Sequence, residues 1–600
     1  MIVNILVIIT LLLNVAMWGS RSKGRGLFSS FLNMLCVLVA GGLALAVWEP
    51  AANMLVPKLP DFAWCLGLLV PFAVILVVIR QGLDALVTKN MDFDDITNFV
   101  GGAVFGLGTG VITSGLIVLG ISSLRVGPSL LGYQPIAYEN GSPVYSGRLW
   151  VPTDRWTVGL YEKLSVGAFE NETPLALRMP HADEQMAMMR CSYLIQQEAK
   201  VSIARTTVSP ADFSVKGQYR LDKLPRAKLT EDTYNVTDGK PKPHDPKYPD
   251  GSSITDGDVL DGYIIEFKSG AFEKSGQLVL GPGQIRLVCK LPNGTAIGVH
   301  PVAVIAPPEA GGAYFRFRFD APDVFIPSVG GSSSATFAVE FVIPKDAVPT
   351  DLIFRNARVD VPAFDLKNSF ASAAKRDEAV KNSSIFNRFG AQAAKVAGSG
   401  DGGAKTVDLT QAKVITTAGA NRFDGIEIGD TLPDGMVLNA GDKGGLDIAD
   451  NTIIDGRHVF PRISLTSNRG IDRNLRVDKF GATKDTSIIK VTLANKGAMS
   501  LLGQSVETAE NVLPPLLTDA DGGQYEAIGF IYDDGTNVTI RFTPGEPLRG
   551  LVDLPSALSR SKRDQTAILL FRVTKGESIL GFGLSSKVLA KFEPPLKVPK

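Results

Sequence analysis

The stretch FVGGAVFGLGTGVITSGLIVLGI, residues 99–121, decides the architecture of this chain. It holds 23 residues without a charge, and at about 1.5 Å of rise per residue such a helix crosses a hydrocarbon core of about 30 Å. Gly102, Gly106 and Gly110 recur every fourth residue and form one stripe on the helix face. A glycine stripe lets a second helix backbone approach closely, and close packing drives helix association in lipid. The stretch therefore predicts a transmembrane helix with a packing seam.

Three further apolar runs precede this stretch, at residues 2–18, 26–48 and 62–79. No lysine or arginine stands before residue 21. The first run therefore lacks the positive n-region of a cleaved signal peptide and predicts a retained, short helix. Residues 1–125 are predicted to form a four-helix transmembrane domain.

Basic residues in the short loops predict how these helices are oriented. The loops after the first and third runs together carry five lysines and arginines, against one in the loop between them. These residues are Arg21, Lys23 and Arg25 in the first loop, Lys58 in the second, and Arg80 and Lys89 in the third. Because positively charged loops stay in the cytoplasm, both termini and everything after residue 125 are predicted to be extracytoplasmic.

All five tryptophans fall within the first 156 residues. Trp18, Trp48 and Trp64 stand at the ends of apolar runs, where aromatic side chains anchor helices at the level of the lipid headgroups. Trp156 is predicted to act as a similar anchor from a helix within residues 150–169. The helix face that carries Trp156 fits two interpretations equally, a helix lying on the outer headgroups or a helix facing the core of a soluble domain.

The membrane part resembles the colicin V production protein (CvpA) family. The resemblance rests on a short first helix, a basic loop that ends in Arg25-Gly26, and the three glycines of the stripe. It covers roughly residues 1–125 and implies a bacterial four-helix inner-membrane module, linked to colicin V production, a toxin biosynthetic process, and to maintenance of the cell envelope. The chain departs from the family where the family carries charged residues, at Asn98-Phe99 and at Thr109.

The period of the apolar pattern changes to two from about residue 259, which is typical of strands. Asn293-Gly294 and Asp534-Gly535 are strong signals for hairpin turns. TFAVEFVIPK at 336–345 aligns without gaps to TAILLFRVTK at 566–575, and AIGV at 296–299 resembles AIGF at 527–530. These matches predict two copies of one antiparallel domain, immunoglobulin-like β-sandwiches in type, although two unrelated β domains with similar strands are the open alternative.

The predicted order of domains follows from these patterns. A juxtamembrane α/β segment occupies residues 126–256, and its second helix is expected within residues 182–200. The first β-sandwich occupies 257–364, a flexible linker rich in Ala, Ser, Gly and Lys occupies 365–405, and a second β domain occupies 406–600. The sandwich copy lies at about 485–597 within that last domain.

Chemistry-bearing motifs are scarce in the sequence. Cys191 and Cys289 fit either a disulfide or two free, buried thiols. No CxxC or HExxH occurs, so no metal site is predicted. The nearest serine run, GSSSA at 331–335, lacks the glycines that build the oxyanion hole of a trypsin-like turn. No catalytic, cofactor-binding or metal-binding residue is therefore expected, and the protein is predicted not to be an enzyme.

Lysine plus arginine equals aspartate plus glutamate at 61 each. Such a balance gives no support for binding nucleic acid. The expected partners are the lipid bilayer, a protein or cell-wall component of the bacterial envelope that contacts the ectodomain, and a second copy of the chain. The sequence thus predicts a non-catalytic inner-membrane protein with a duplicated β ectodomain. The alternative is an oligomeric channel, or a component for transport or toxin export, built on the glycine seam.

Overall fold

The protein is described here from a computed structural model. Residues are described in these ranges: 2–19, 26–87, 91, 93–124, 131–133, 136–139, 142–145, 149–170, 173–191, 194–197, 200–203, 207–221, 253–255, 257–273, 276–306, 315–319, 326–328, 334–363, 369–370, 372–381, 412–416, 422–423, 425–483, 486–496, 498–500, 502–504, 513–519, 524–559, 561–562, 564–584 and 587–599. Arg21, Lys23 and Arg25 lie outside these ranges.

The N-terminal part is helical, with α1 at Ile2–Trp18, α2 at Leu27–Leu55, α3 at Ala63–Leu86 and α4 at Asp95–Ser122. Three of these helices, α2 to α4, are long and apolar enough to cross a membrane, whereas α1 is apolar but has only 17 residues. The side chain of Asp94 caps α4 by accepting a hydrogen bond from the backbone N–H of Thr97 at 3.0 Å, which satisfies one free donor of the first turn.

Contacts between helix ends show how the four helices alternate in direction. The backbone N–H of Leu27 donates to Asn98 Oδ1 at 3.3 Å, which joins the start of α2 to the start of α4. At the opposite end, Trp48 Nε1 donates to the carbonyl oxygen of Trp64 at 2.7 Å and joins the end of α2 to the start of α3. The chain leaves α4 at the same end as the α2–α3 connection.

Three short helices follow, α5 at Thr153–Ser165, α6 at Leu175–Arg178 and α7 at Ala182–Cys191. Met186 and Met189 of α7 are buried, as the helical pattern predicted. The helix is shorter than the predicted 182–200, because Leu194 already begins a strand. Four strands in this region form two hairpins: β1 at Ile136–Glu139, β2 at Ser142–Tyr145, β3 at Leu194–Gln197 and β4 at Lys200–Ile203.

The first β unit, residues 207–381, contains a six-stranded and a four-stranded sheet that share one hydrophobic core. Its strands are β5 at Phe213–Leu221, β6 at Val259–Lys268, β7 at Val279–Leu280, β8 at Ile285–Lys290, β9 at Ala296–Val299, β10 at Pro301–Ala306, β11 at Phe315–Arg318, β12 at Ile326–Pro327, β13 at Ser334–Ile343, β14 at Val348–Phe354, β15 at Ala357–Asp360 and β16 at Ser369–Phe370. The larger sheet has the order β11-β10-β13-β6-β5-β16 and the smaller β15-β14-β8-β9.

This unit extends beyond the predicted bounds of 257–364 at both ends. Strand β5 pairs with β6 along its whole length, so residues 213–221 belong to the sheet and not to a separate juxtamembrane segment. Strand β16 pairs with β5, and helix α8 at Ala373–Lys381 follows it. The stretch that was predicted to begin a flexible linker at residue 365 therefore contributes a strand and a helix to the unit.

The second β unit, residues 412–599, contains a curled sheet of 14 strands with a hydrophobic core on each face. Helix α9 is Arg462–Ser467. The strands are β17 at Lys413–Thr416, β18 at Arg422–Phe423, β19 at Ile426–Ile428, β20 at Leu438–Asn439, β21 at Leu446–Ala449, β22 at Thr452–Pro461, β23 at Arg476–Val477, β24 at Lys479–Phe480, β25 at Thr486–Asn495, β26 at Ala498–Met499, β27 at Pro515–Asp519, β28 at Gln524–Asp533, β29 at Asn537–Phe542, β30 at Thr566–Thr574, β31 at Ser578–Leu584 and β32 at Lys587–Lys597.

The two predicted turns form as expected. Gly294 lies between β8 and β9 and Gly535 between β28 and β29, and both have the positive φ that glycine adopts without strain. The rest of the molecule is therefore a mostly β region that follows apolar helices.

The same pairing order recurs in the two units. Strand β13 pairs with β6 and β10, while β30 pairs with β25 and β28. Strand β14 pairs with β8 and β15, while β31 pairs with β27 and β32. The segments 336–345 and 566–575 thus occupy equivalent positions.

One of the two predicted alignments is wrong in its register. Val339 pairs with Val304, and its aligned counterpart Leu569 pairs with Phe530. Phe530 therefore takes the place of Val304 and not of Val299, which the match between AIGV and AIGF implied. Strand β9 also lies in a different sheet from β13, whereas β28 pairs directly with β30.

Candidate functional site

The glycine stripe of α4 contacts α1 of the same chain. A Cβ atom at Gly102 would lie 2.3 Å from the carbonyl oxygen of Trp18, and one at Gly106 would lie 2.8 Å from that of Asn14. Gly110 is buried on the same face. Any side chain at the first two positions would push the helices apart, so the stripe is occupied by an intrachain contact.

Three of the four predicted interface anchors are buried inside the protein. Trp18, Trp48 and Trp64 are at most 8% exposed, and the rings of Trp48 and Trp64 contact each other edge to face. Little of these rings is therefore exposed on the surface of the protein, and their role as anchors stays a prediction. Trp156 is different, since it is 54% exposed on the outer face of α5, and neighbouring Trp150 is exposed as well.

Helix α5 contacts the long apolar helices α2 and α4 with its opposite face. Tyr161 Oη donates to the carbonyl oxygen of Leu38 in α2 at 3.0 Å, and Thr157 Oγ1 donates to that of Val111 in α4 at 3.2 Å. The predicted face of Trp156, Leu160 and Leu164 is therefore not the core face. No local sequence pattern predicts this packing, because the partners of the buried hydroxyls are backbone carbonyls.

Glu49, the first charged residue after the apolar run of α2, connects the helices to the first β unit. It forms an ion pair with Arg178 of α6 at 3.0 Å and a second with Arg358 of β15 at 3.4 Å. Arg358 also pairs with Asp351 at 3.3 Å and donates to the carbonyl oxygen of Arg178. The Glu49 carboxylate of α2 thus contacts two other parts of the chain, α6 and β15, that are far apart in sequence.

A cluster of buried ionisable groups lies beside this contact. Arg286 of β8 is fully enclosed and donates to the carbonyl oxygen of Pro180 at 3.2 Å, and burial lowers the pKa of its guanidinium. Burial raises the pKa of Asp183 in α7 to about 6. Burial, together with the charge of Arg286, lowers the pKa of His300 to about 3. The pKa shifts at Asp183 and His300 predict that the stability of the junction depends on pH.

A cavity of about 340 Å³ opens at the same junction. It extends along α2 from Val39 to Pro50 and is closed on its other side by the end of α5 and by α6. Its wall is mostly apolar, and Glu49 and Arg178 are its charged lining residues. This size lies within the range of about 300–1,000 Å³ that is usual for small-molecule sites.

The described residues do not form a metal or disulfide site. No group of three or more His, Cys, Asp and Glu side chains among them could hold a metal ion. Cys289 is a free, buried thiol, and the side chain of Cys191 is outside the described part. Ser332 and Ser333 of the candidate serine run also lie outside it.

Comparisons with known proteins do not indicate a function for this chain. No family model, no curated protein and no solved structure matches this chain.

Proposed function

We propose that this chain is a multi-pass protein of a bacterial inner membrane that displays two β-sandwich-like copies of one unit outside the cytoplasm. In this proposal α1 is a fourth span, both termini are extracytoplasmic, and the β units bind a protein or cell-wall component of the envelope without catalysing a reaction. The recurring strand order supports the two-copy interpretation. The resemblance to the colicin V production family rests on Arg25-Gly26 and the glycine stripe.

The observation that carries this proposal is the contact of Glu49 with Arg178 and Arg358. A β region on a flexible tether samples many orientations, whereas the first β unit is joined to α2 by the ion pair between Arg358 and Glu49. Fixed orientation at the membrane suits a protein that presents a binding surface at a defined height. Because Gly102 and Gly106 contact α1 of the same chain, the seam does not favour a pore assembled from several copies.

A topology experiment tests the proposal first. Alkaline phosphatase fused after residue 126 should be active, because it would be exported, and the same reporter near residue 90 should be inactive. The reverse pattern would contradict the extracytoplasmic placement. Crosslinking in intact cells, followed by purification of the full chain, should then recover an envelope component. Recovery only of cytoplasmic proteins would contradict the binding role.

A substitution in the glycine seam distinguishes a protein that only presents its β units from an oligomeric channel. Gly106→Leu should lower stability by about 1–3 kcal/mol, because the new side chain overlaps the Asn14 backbone and packing alone holds helices together in lipid. Thermal unfolding in detergent measures this, with Leu107→Ala on an exposed face as the control. If Gly106→Leu instead changes the oligomeric state at unchanged stability, the seam joins different chains and the channel alternative gains support.

A further inference from the structure

We propose that the cavity between α2, α5 and α6 binds one acyl chain of a phospholipid whose headgroup carries both a phosphate and an ammonium group. The cavity follows α2 from Val39 to Pro50, a length of about 16 Å at the rise of an α-helix. This matches about half of a hydrocarbon core of about 30 Å, which is the depth that one acyl chain occupies.

The position of the cavity along α2 favours a lipid over a soluble ligand. Glu49 ends the uncharged run 26–48, so it marks the level at which the apolar segment of α2 stops. Val39 lies ten residues inside that run, and Val39 and Leu43 are 38% and 48% exposed. The cavity therefore has its apolar part beside the membrane-facing surface of the helix and its charged residues at the end of the apolar segment.

The charged residues at the opening of the cavity favour a headgroup that carries both a positive and a negative charge. The Arg178 side chain is 44% exposed, and Glu49 accepts a hydrogen bond only from its Nε, so the outer edge of the guanidinium is open to a phosphate oxygen. Asp360 is exposed and lies within electrostatic range of Arg178. A phosphate beside Arg178 and an ammonium beside Asp360 would satisfy both. A headgroup with a phosphate but no ammonium would bring no positive charge to Asp360, and the nearby guanidinium of Arg358 already pairs with Glu49 and Asp351.

The test uses the full chain in nanodiscs that contain a phosphatidylethanolamine with a photoactivatable diazirine in its acyl chain. Mass spectrometry of the crosslinked protein should place the label on peptides that cover 39–50 and 165–179. Ala46→Phe fills part of the cavity with its ring. We expect it to lower this labelling at least about fivefold, because the free-energy cost of fitting an acyl chain into the remaining space exceeds about 1 kcal/mol. Val47→Phe is the matched control, since Val47 is 43% exposed but does not line the cavity.

Equal labelling of the two variants, or label spread evenly over the exposed faces of all the helices, would overturn the site. Competition with unlabelled lipids provides a second measurement that needs no substitution. Phosphatidylethanolamine should displace the probe better than phosphatidylglycerol, which lacks the ammonium. Equal displacement by phosphatidylglycerol would overturn the assignment of the headgroup.

Discussion

The two β units pair their strands in the same order, but different side chains pack on the outer face of the central strand. We call the side chains on that face its cover. In the first unit, Glu340 of β13 is fully buried on that face, and it accepts hydrogen bonds from Arg316 at 2.5 Å, Arg376 at 2.7 Å and Tyr219 at 2.9 Å. In the second unit the aligned residue is Leu570, which is buried in an apolar cluster. The same strand order thus accommodates either a charged or an apolar cover.

Each cover dictates what its neighbours must be. Gly262 stands opposite Glu340, and a Cβ there would overlap the ring of Tyr219, so glycine is required for the tyrosine to reach the carboxylate. Lys490 stands opposite Leu570 and pairs with Glu427 at 3.1 Å. A buried charge is stable only when its partners are present, whereas a buried leucine depends on shape. The comparison therefore predicts different responses to equivalent substitutions.

The largest effect is expected from Glu340→Leu, which copies the second unit into the first. Arg316 and Arg376 would stay buried without their carboxylate, at a cost of about 3–5 kcal/mol. Amide hydrogen exchange of the full chain should become faster in β13 and unchanged in the equivalent strand β30. Protection in β13 equal to that of the unsubstituted protein would contradict the view that the carboxylate holds this face together.

Two controls separate charge from shape. Asp377→Asn removes an acid that is 33% exposed and also contacts Arg376, and it should cost less than about 1 kcal/mol because such pairs contribute little. The triple variant Glu340→Leu, Arg316→Met and Arg376→Met should recover most of the lost stability, since an apolar replacement of a whole buried ion cluster is often neutral or better.

The same contrast explains what could be predicted from the sequence. Uncharged runs and period-two patterns have local causes, so helices α2 to α4 and the hairpins at Gly294 and Gly535 could be predicted. The ion pair between Arg376 and Glu340 could not be predicted, because Arg376 comes from residues 373–381, whose Ala- and Lys-rich composition is typical of a linker. The junction depends on partners as distant as Glu49 and Arg358. No local pattern records such a pairing.

A second prediction concerns pH, because the first unit contacts the helices through ionisable groups. The pKa of Asp183 is raised to about 6, so this carboxyl favours folding at low pH and that contribution is lost as the pH rises through about 6. The pKa of His300 is lowered to about 3, so its contribution is present above about 6.5 and is lost as the pH falls. The two slopes oppose each other between about pH 4 and 6.

In Asp183→Asn, the dependence of stability on pH that His300 causes should no longer be offset by that of Asp183. The difference in unfolding free energy between the variant and the unsubstituted protein should change by about 3 kcal/mol between pH 4 and 7, in favour of the variant at the higher pH. Thermal unfolding of the full chain at several pH values measures it. Hydrogen exchange should locate the change in β8 and not in its counterpart β27. A difference that does not vary with pH would show that Asp183 keeps its ordinary pKa.

A small effect is expected at Lys490 of the second unit. Lys490 is only 2% exposed, and it donates to Glu427 and, at 2.8 Å, to the carbonyl oxygen of Thr431. Glu427 is 31% exposed, so water can solvate its carboxylate once the lysine is gone. Lys490→Met removes the charge but retains most of the unbranched apolar side chain, and it should cost less than about 1.5 kcal/mol, most of it from the unpaired carbonyl. Hydrogen exchange in β25 measures the effect against Glu340→Leu in β13. A loss as large as that of Glu340→Leu would mean that the second unit also depends on a buried charge, and the contrast between the two covers would then fail.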